Sequence, residues 1–391
     1  MSTSHKPPKQ PWSWRSQAFR GLIYQLVTVA VIVAVVLYLA HNTKVNMNAR
    51  GIQSGWDFML GGAGFDIGES LFAYDSADPY WKAYLIGFSN TLRVAILGII
   101  LTTILGTLIG VGRFSRNALV RGICVCYVEF FRNIPVLLQL LMWYLMFTEV
   151  LPESAEPLVL GPLYLSKGGL NFPVPVWGTG QLYAVIGMAV AIVVALFYRS
   201  YAIRSFEKTG VPKSLFWVPV GIVIGFGVVG WIVGGAPMEF NMPVKGEFAI
   251  ENGGALTPEF LSVLLGLTVY TAAFVAEVVR GGIQSVALGQ SEAAAALGLS
   301  RGQTMRLVTL PQALRVIIPP VTNQFLNLTK NSSLAVAIGY PDVVSISNTA
   351  INQTGRAVEC IAVIMLVYLS TSLFTSISMN WYNNRSAIRE R

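Results

Sequence analysis

Apolar residues run along this chain in long blocks, separated by shorter polar and basic stretches. The blocks fall at about 22–40, 84–111, 122–147, 182–198, 215–235, 259–282, 313–330 and 357–379. Most reach the roughly 20 apolar residues that an α-helix needs to cross a bilayer. They predict an all-α, polytopic membrane protein with about eight transmembrane helices. The block at 22–40 is long for a signal-peptide core and is followed by no convincing small-residue cleavage site, so it is kept as a span. The block 182–198 is short, and 313–330 carries Asn323, Gln324 and Asn327.

One stretch breaks this pattern. Leu288–Pro320 is helix-prone yet contains a helix far too short to span. Ser291 is placed as its N-cap, with Glu292 in the first turn. Ala293 to Leu297 form a small, apolar, helix-forming run, and Gly298 is placed to end it. Ser300 and Gln303 fit a capping box, so a second helix starts almost at once. Pro311 and the pair Pro319–Pro320 are expected to break or kink the chain downstream of it. A short alanine-faced helix between spans suits a plug that enters another protein's cleft.

Composition agrees with the blocks. The chain has 391 residues, 54% of them hydrophobic and only 12% charged, with mean hydropathy +0.59. These values place it among polytopic membrane proteins. The net charge of +8 raises the question of nucleic acid, but the basic residues sit at the ends of apolar blocks, so topology explains them and no nucleic acid is expected. With the N-terminus inside, eighteen Lys and Arg fall in inside segments and seven in outside segments. That bias puts both termini and the Glu292 helix on the cytoplasmic side. Cys124, Cys126 and Cys360 lie in or beside apolar blocks and read as small core residues. His5 and His41 are isolated, and no metal site is expected. The outside loops 148–181 and 236–258 are rich in Glu, Pro and Gly. They are long enough either to face an external partner or to serve as solvated connectors.

Several motifs carry a family resemblance. Glu292-Ala293-Ala294, Gly298, Val308 and Leu310-Pro311 match in spacing the EAA loop of ABC-importer membrane subunits, with Val308 standing where that pattern has Ile. Ser89-Asn90-Thr91-Leu92, Glu129 through Pro135 with Gln139, Glu277 through Gly282, and Lys330 through Leu334 are similar to the polar-amino-acid importers. The similarity covers roughly residues 85–380 and is greatest to the longer membrane subunit of the general L-amino-acid importers. Ordinary members have about five spans; this chain adds a pair at about 182–235.

The resemblance implies a type I permease core with a cytoplasmic coupling helix, in a bacterial inner membrane. It implies an ATPase dimer in the cytoplasm, a second homologous permease, a periplasmic amino-acid-binding protein and an L-amino-acid substrate, with membrane lipid around them. It divides the chain into 1–84 (tail, first helix and periplasmic loop), 85–380 (transport domain) and 381–391 (cytoplasmic tail). The coupling residues would be Ser291, Glu292, Ala293, Ala294 and Gly298. The chain itself contains no Gly-x-x-x-x-Gly-Lys-Ser/Thr, so it has no phosphate-binding loop of its own. It is therefore expected to be a non-enzymatic subunit without a cofactor, ATP and magnesium belonging to the partner.

Ionisable residues within spans are the default functional candidates. Arg93 lies in the second span, where it either meets a substrate carboxylate or snorkels outward. Glu129 with Arg132, and Glu277 with Arg280, are i,i+3 pairs at the inner ends of two spans. They serve either as structural pairs or as an inner gate. Asn323, Asn327 and Lys330 recur at helical spacing, with Asn331 beside them, and Gln139 adds another intramembrane amide. This polar stripe should face a watery path or bond to neighbouring helices. The competing function is a self-sufficient amino-acid transporter driven by an ion gradient, which would be built from broken helices in two matched halves.

Overall fold

The computed structural model describes residues 16–386 apart from residues 50, 52–53, 212 and 248; the outermost parts of both expected tails lie outside the described residues. Every apolar block becomes helix. The unbroken long helices are α1 (Gln17–Ala49), α2 (Tyr80–Gly112), α5 (Thr179–Thr209), α7 (Pro258–Gln284) and α12 (Ala357–Ser386). A shorter apolar helix, α6 (Trp217–Val233), follows α5. Among the described residues five helices are long and apolar enough to cross a membrane, and the number rises to seven if two bent pairs each count as one span.

The expected continuous span 122–147 is one of those bent pairs. It is α3 (Ala118–Asn133) and α4 (Val136–Leu145), the second running on into a π-helical turn at Met146–Val150, and the two meet at 104°. The cause is Pro135, which forces the preceding residue out of the helical region: Ile134 sits at φ −103°, ψ 128°. Pro319 and Pro320 do the opposite of what their type suggests. Helix α10 (Leu310–Asn331) runs through both. Its flanks Ile317, Val321 and Phe325 are buried in one cluster with Val275 and Val279 of α7, and this packing holds the helix where two backbone donors are missing.

Two compact units divide the chain: Met1–Ser89 with Val343–Thr371, and Asn90–Asp342 with Ser372–Arg391. In the first, a core of Phe58, Tyr80, Tyr84, Ile346 and Cys360 gathers loop, helix and α11 (Val343–Thr354). Arg356 grips Asp57 with both guanidinium nitrogens, at 2.7 and 2.9 Å, and also donates to the Gly55 carbonyl. The amide of Gly55 donates back to Glu359 at 2.6 Å.

In the second unit α7 is central. Its buried face packs against α2, α3, α4 and α10. Gly106 and Gly110 of α2 let the two helices close up. A Cβ on either would collide with Val275 or with Val279 and the Ala276 carbonyl, which is the small-residue contact expected where helices associate in lipid. The long loops are not irregular. Strands β1 (Leu158–Leu160), β2 (Leu163–Ser166), β3 (Gly169–Phe172) and β8 (Gly254–Leu256) make one antiparallel sheet in that order. Two small ribbons join β4 (Val174–Pro175) to β5 (Phe240–Asn241) and β6 (Val244–Lys245) to β7 (Ile250–Glu251). The loops 148–181 and 236–258 therefore form one folded element.

Candidate functional site

The short helix is α8, Leu288–Ala296. It starts four residues earlier than the capping signals indicate. Ala287 is the N-cap residue without a side-chain bond, and Ser291 and Glu292 lie inside the helix. The C-terminal end follows the expected chemistry. Gly298 sits at φ +79°, its amide donates to the Ala295 carbonyl, and the Leu299 amide donates to the Ala294 carbonyl. These two bonds make a complete Schellman motif, which needs a left-handed residue at that position. Ser300 then caps α9 (Arg301–Thr304) through the reciprocal bonds with Gln303.

Only Ala294 of α8 is buried. The flanking Leu288 and Leu297 are both 81% exposed. An alanine helix with a leucine at each end, standing out from the chain, is an apolar surface without a cover among the described residues. A Cβ on Gly298 would meet no atom of this chain within 4 Å.

Polar groups converge in the second unit. Glu277 of α7 accepts from Arg280 one turn on, and from Arg113 just beyond α2. Arg132 of α3 stands 3.9 Å from the same carboxylate. The expected Glu129–Arg132 pair is thus not formed: Arg132 turns toward α7, stacking 5.3 Å from the Phe274 ring centroid, while Glu129 remains exposed. Three guanidiniums share one half-buried carboxylate, so the cluster carries excess positive charge.

Beside it lies a polar cavity of about 290 Å³, lined by Tyr270, Thr271, Phe274, Gln324, Asn327 and Asn331. Asn323 and Lys330 are exposed on the neighbouring face of α10. The stripe read from spacing therefore divides, Asn327 and Asn331 facing the cavity. Gln324 joins them at i, i+3, i+7. Phe274 belongs to both the cavity wall and the arginine cluster.

The two remaining candidates are held elsewhere. Gln139 is buried and donates at 2.9 Å to the carbonyls of Phe131 and Ile134. It satisfies backbone acceptors left over at the broken end of α3, so its donor side braces the break. The guanidinium of Arg93 lies 4.0 Å from the ring centroid of Phe260, and that ring packs against Tyr340. Arg93 is half-buried in this stack.

Comparison with known proteins decides the class. The general L-amino acid transport system permease protein AapQ of Rhizobium johnstonii is 46% identical over 97% of this chain and 96% of its own length. The chain belongs to the permease subunits of amino-acid ABC importers. The family described as binding-protein-dependent transport system inner membrane component matches residues 214–387 of the permease. The putative amino-acid ABC transporter permease protein YhdX of Escherichia coli is 42% identical over the full length of both chains. The glutamate/glutamine/aspartate/asparagine transport system permease protein BztB of Rhodobacter capsulatus is 37% identical, again over both full lengths. The permease is therefore a membrane-embedded transport subunit of type I architecture, and membership of this family favours that role over a self-sufficient, gradient-driven transporter.

Sequence reasoning missed Tyr270, Thr271 and Phe274, because apolar and small residues in an apolar helix carry no signal of a cavity. It also missed Arg113, which lies just past α2 and was counted only for topology. Arg356 was likewise counted only as an outside charge; the Asp57 that it grips is 299 residues away.

Proposed function

We propose that the permease moves L-amino acids across the inner membrane together with a second homologous permease. An external binding protein delivers the substrate, and a cytoplasmic ATPase dimer holding ATP and magnesium drives the cycle. Both termini then lie in the cytoplasm, as does α8, in keeping with the excess of Lys and Arg on that side. The permease contributes no catalytic group and no cofactor.

The observation that carries this reading is α8. A nine-residue helix with exposed leucines at both ends and a rigid Schellman stop has the form of a knob for a groove on another protein. Ser291, Glu292, Ala293, Ala294 and Gly298 supply its body and stop. Glu292 offers one charge for a basic partner residue. Beyond α8, α9 and a π-helical turn at Met305–Thr309 lead directly into α10, so a push on α8 is passed to the helix that bears Asn327 and Asn331.

The substrate path is assigned to the cavity face of α10 and α7, with amides for the polar ends of an amino acid and Tyr270 and Phe274 for its carbon frame. The cluster of Glu277 with Arg113, Arg132 and Arg280 is the inner gate, adjoining the cavity at Phe274. Arg93, stacked on Phe260, is the residue proposed to meet a substrate carboxylate arriving from outside. Purification of the tagged permease from its native membrane tests the assembly. An ATPase and a second permease should accompany it, and an external amino-acid-binding protein should be retained with them. A permease that arrives alone and transports alone in vesicles would overturn this reading.

A further inference from the structure

The ribbon of β4 and β5 carries a surface apart from the polar cavity and the Glu277 cluster. Its register sets Pro175 opposite Phe240 and Val174 opposite Asn241. The Val176 amide donates to the Glu239 carbonyl at 3.0 Å, so one step further Trp177 comes level with Met238. Residues directly opposite in an antiparallel pair share a face, as do residues two apart. Pro175, Trp177, Met238, Phe240 and Met242 therefore lie on one face, and Val174, Val176, Glu239 and Asn241 on the other. The apolar face is open: Met238 is 75% exposed and Trp177 70%. A contiguous apolar face of this kind on a folded element marks a contact surface.

Its position identifies the contact. Trp177 lies two residues before α5, and Met238 follows the end of α6 after a tight reversal. In that reversal Gly235 and Ala236 both take positive φ, 92° and 45°, and their amides donate back to Ile232 and Trp231 of α6. The helix ends are fastened together at the same level. A Cβ on Gly180 would overlap Pro237, and one on Gly234 would overlap Gly180. The ribbon is thus tied to the ends of two apolar helices whose sides are exposed nearly all round. Its apolar face continues the lipid-facing surface of those helices, and Trp is the residue that favours the boundary between acyl chains and headgroups.

We propose that the β4–β5 ribbon lies on the bilayer, with Trp177, Met238, Phe240 and Met242 in the acyl–headgroup boundary and Glu239 and Asn241 toward water. The inserted pair α5–α6 thereby carries a membrane-resting foot, which sets the depth of the hairpin and supports the sheet joined to it.

Spin labels test this in the full-length permease with its native partners in lipid nanodiscs, after Cys124, Cys126 and Cys360 are replaced by Ala. A label at Phe240→Cys should be more accessible to dissolved oxygen than to an aqueous nickel chelate, and a label at Asn241→Cys the reverse. Met238→Cys repeats the measurement if Phe240→Cys fails to assemble. Preference for the nickel chelate at both positions would overturn the proposal. So would a label at Phe240→Cys that is water-accessible until the external binding protein is added, which would make the ribbon a protein-docking surface instead.

Discussion

At Glu277 one carboxylate serves arginines from three segments of the chain. Glu277→Gln keeps the shape and removes the charge, leaving Arg113, Arg132 and Arg280 to repel one another. With the group about one-quarter exposed (27%), loss of its charge-assisted bonds should cost on the order of 1–3 kcal/mol of stability. The deficit should shrink as salt is added, because salt screens the repulsion that remains. Thermal unfolding of the detergent-solubilised variant at low and high salt measures this, and a deficit independent of salt would assign the residue to packing alone. Arg93 sets a second test at this scale. Arg93→Lys keeps the charge but gives up the planar stack on Phe260, worth about 1 kcal/mol. Uptake at low substrate concentration should fall for Arg93→Ala and be only partly restored by Lys. Wild-type uptake in both would return Arg93 to a structural role. The i,i+3 spacing that predicted a Glu129–Arg132 pair was a local signal. Glu277, 145 residues from Arg132 along the chain, competes for the same guanidinium, and no local pattern shows that competitor.

Among the elements, prolines mark the limit of what was legible. Pro135 breaks a span and Pro319–Pro320 leave one intact, although the local chemistry of all three is the same. The difference is tertiary. Gln139 recovers the orphaned carbonyls at the first site, and the cluster around Phe325 braces the second. By contrast, apolar length made each long helix legible, since a spanning helix satisfies its own backbone and needs only apolar sides. The stop of α8 was also legible, because a left-handed residue is a local demand that Gly298 answers. Its start was not, since Ala287 caps without a side-chain signal and the attractive Ser291 lies within the helix. The polar face of α10 could be read from spacing, but the choice of Asn327 and Asn331 over Asn323 for the cavity depends on where α7 lies. Asn327→Leu keeps a similar volume and removes one amide from that cavity. It should slow uptake several-fold while assembly in the membrane is unchanged; loss of the assembled complex would show that Asn327 bonds helices together and does not serve the path.

For the whole molecule the central claim is that motion enters through α8. The chain carries no phosphate-binding-loop motif, it belongs to a family of transport components, and its exposed knob α8 is tied through a four-residue turn, α9 and the π-helical turn to the helix lining the polar cavity. Gly298 is the place to separate fold from function. Asp is among the few residues that tolerate positive φ, and a Cβ at this position would open onto free space. Gly298→Asp should therefore fold with a strain of roughly 1–2 kcal/mol while placing a charge at the edge of the knob. The decisive measurement is substrate-stimulated ATP hydrolysis and uptake by the reconstituted importer carrying Gly298→Asp, with Gly298→Asn as the uncharged control. Both activities should collapse in the Asp variant and persist in large part with Asn, the external protein still binding its amino acid normally. Wild-type coupling of hydrolysis to uptake in Gly298→Asp would contradict the claim and reduce α8 to a surface feature.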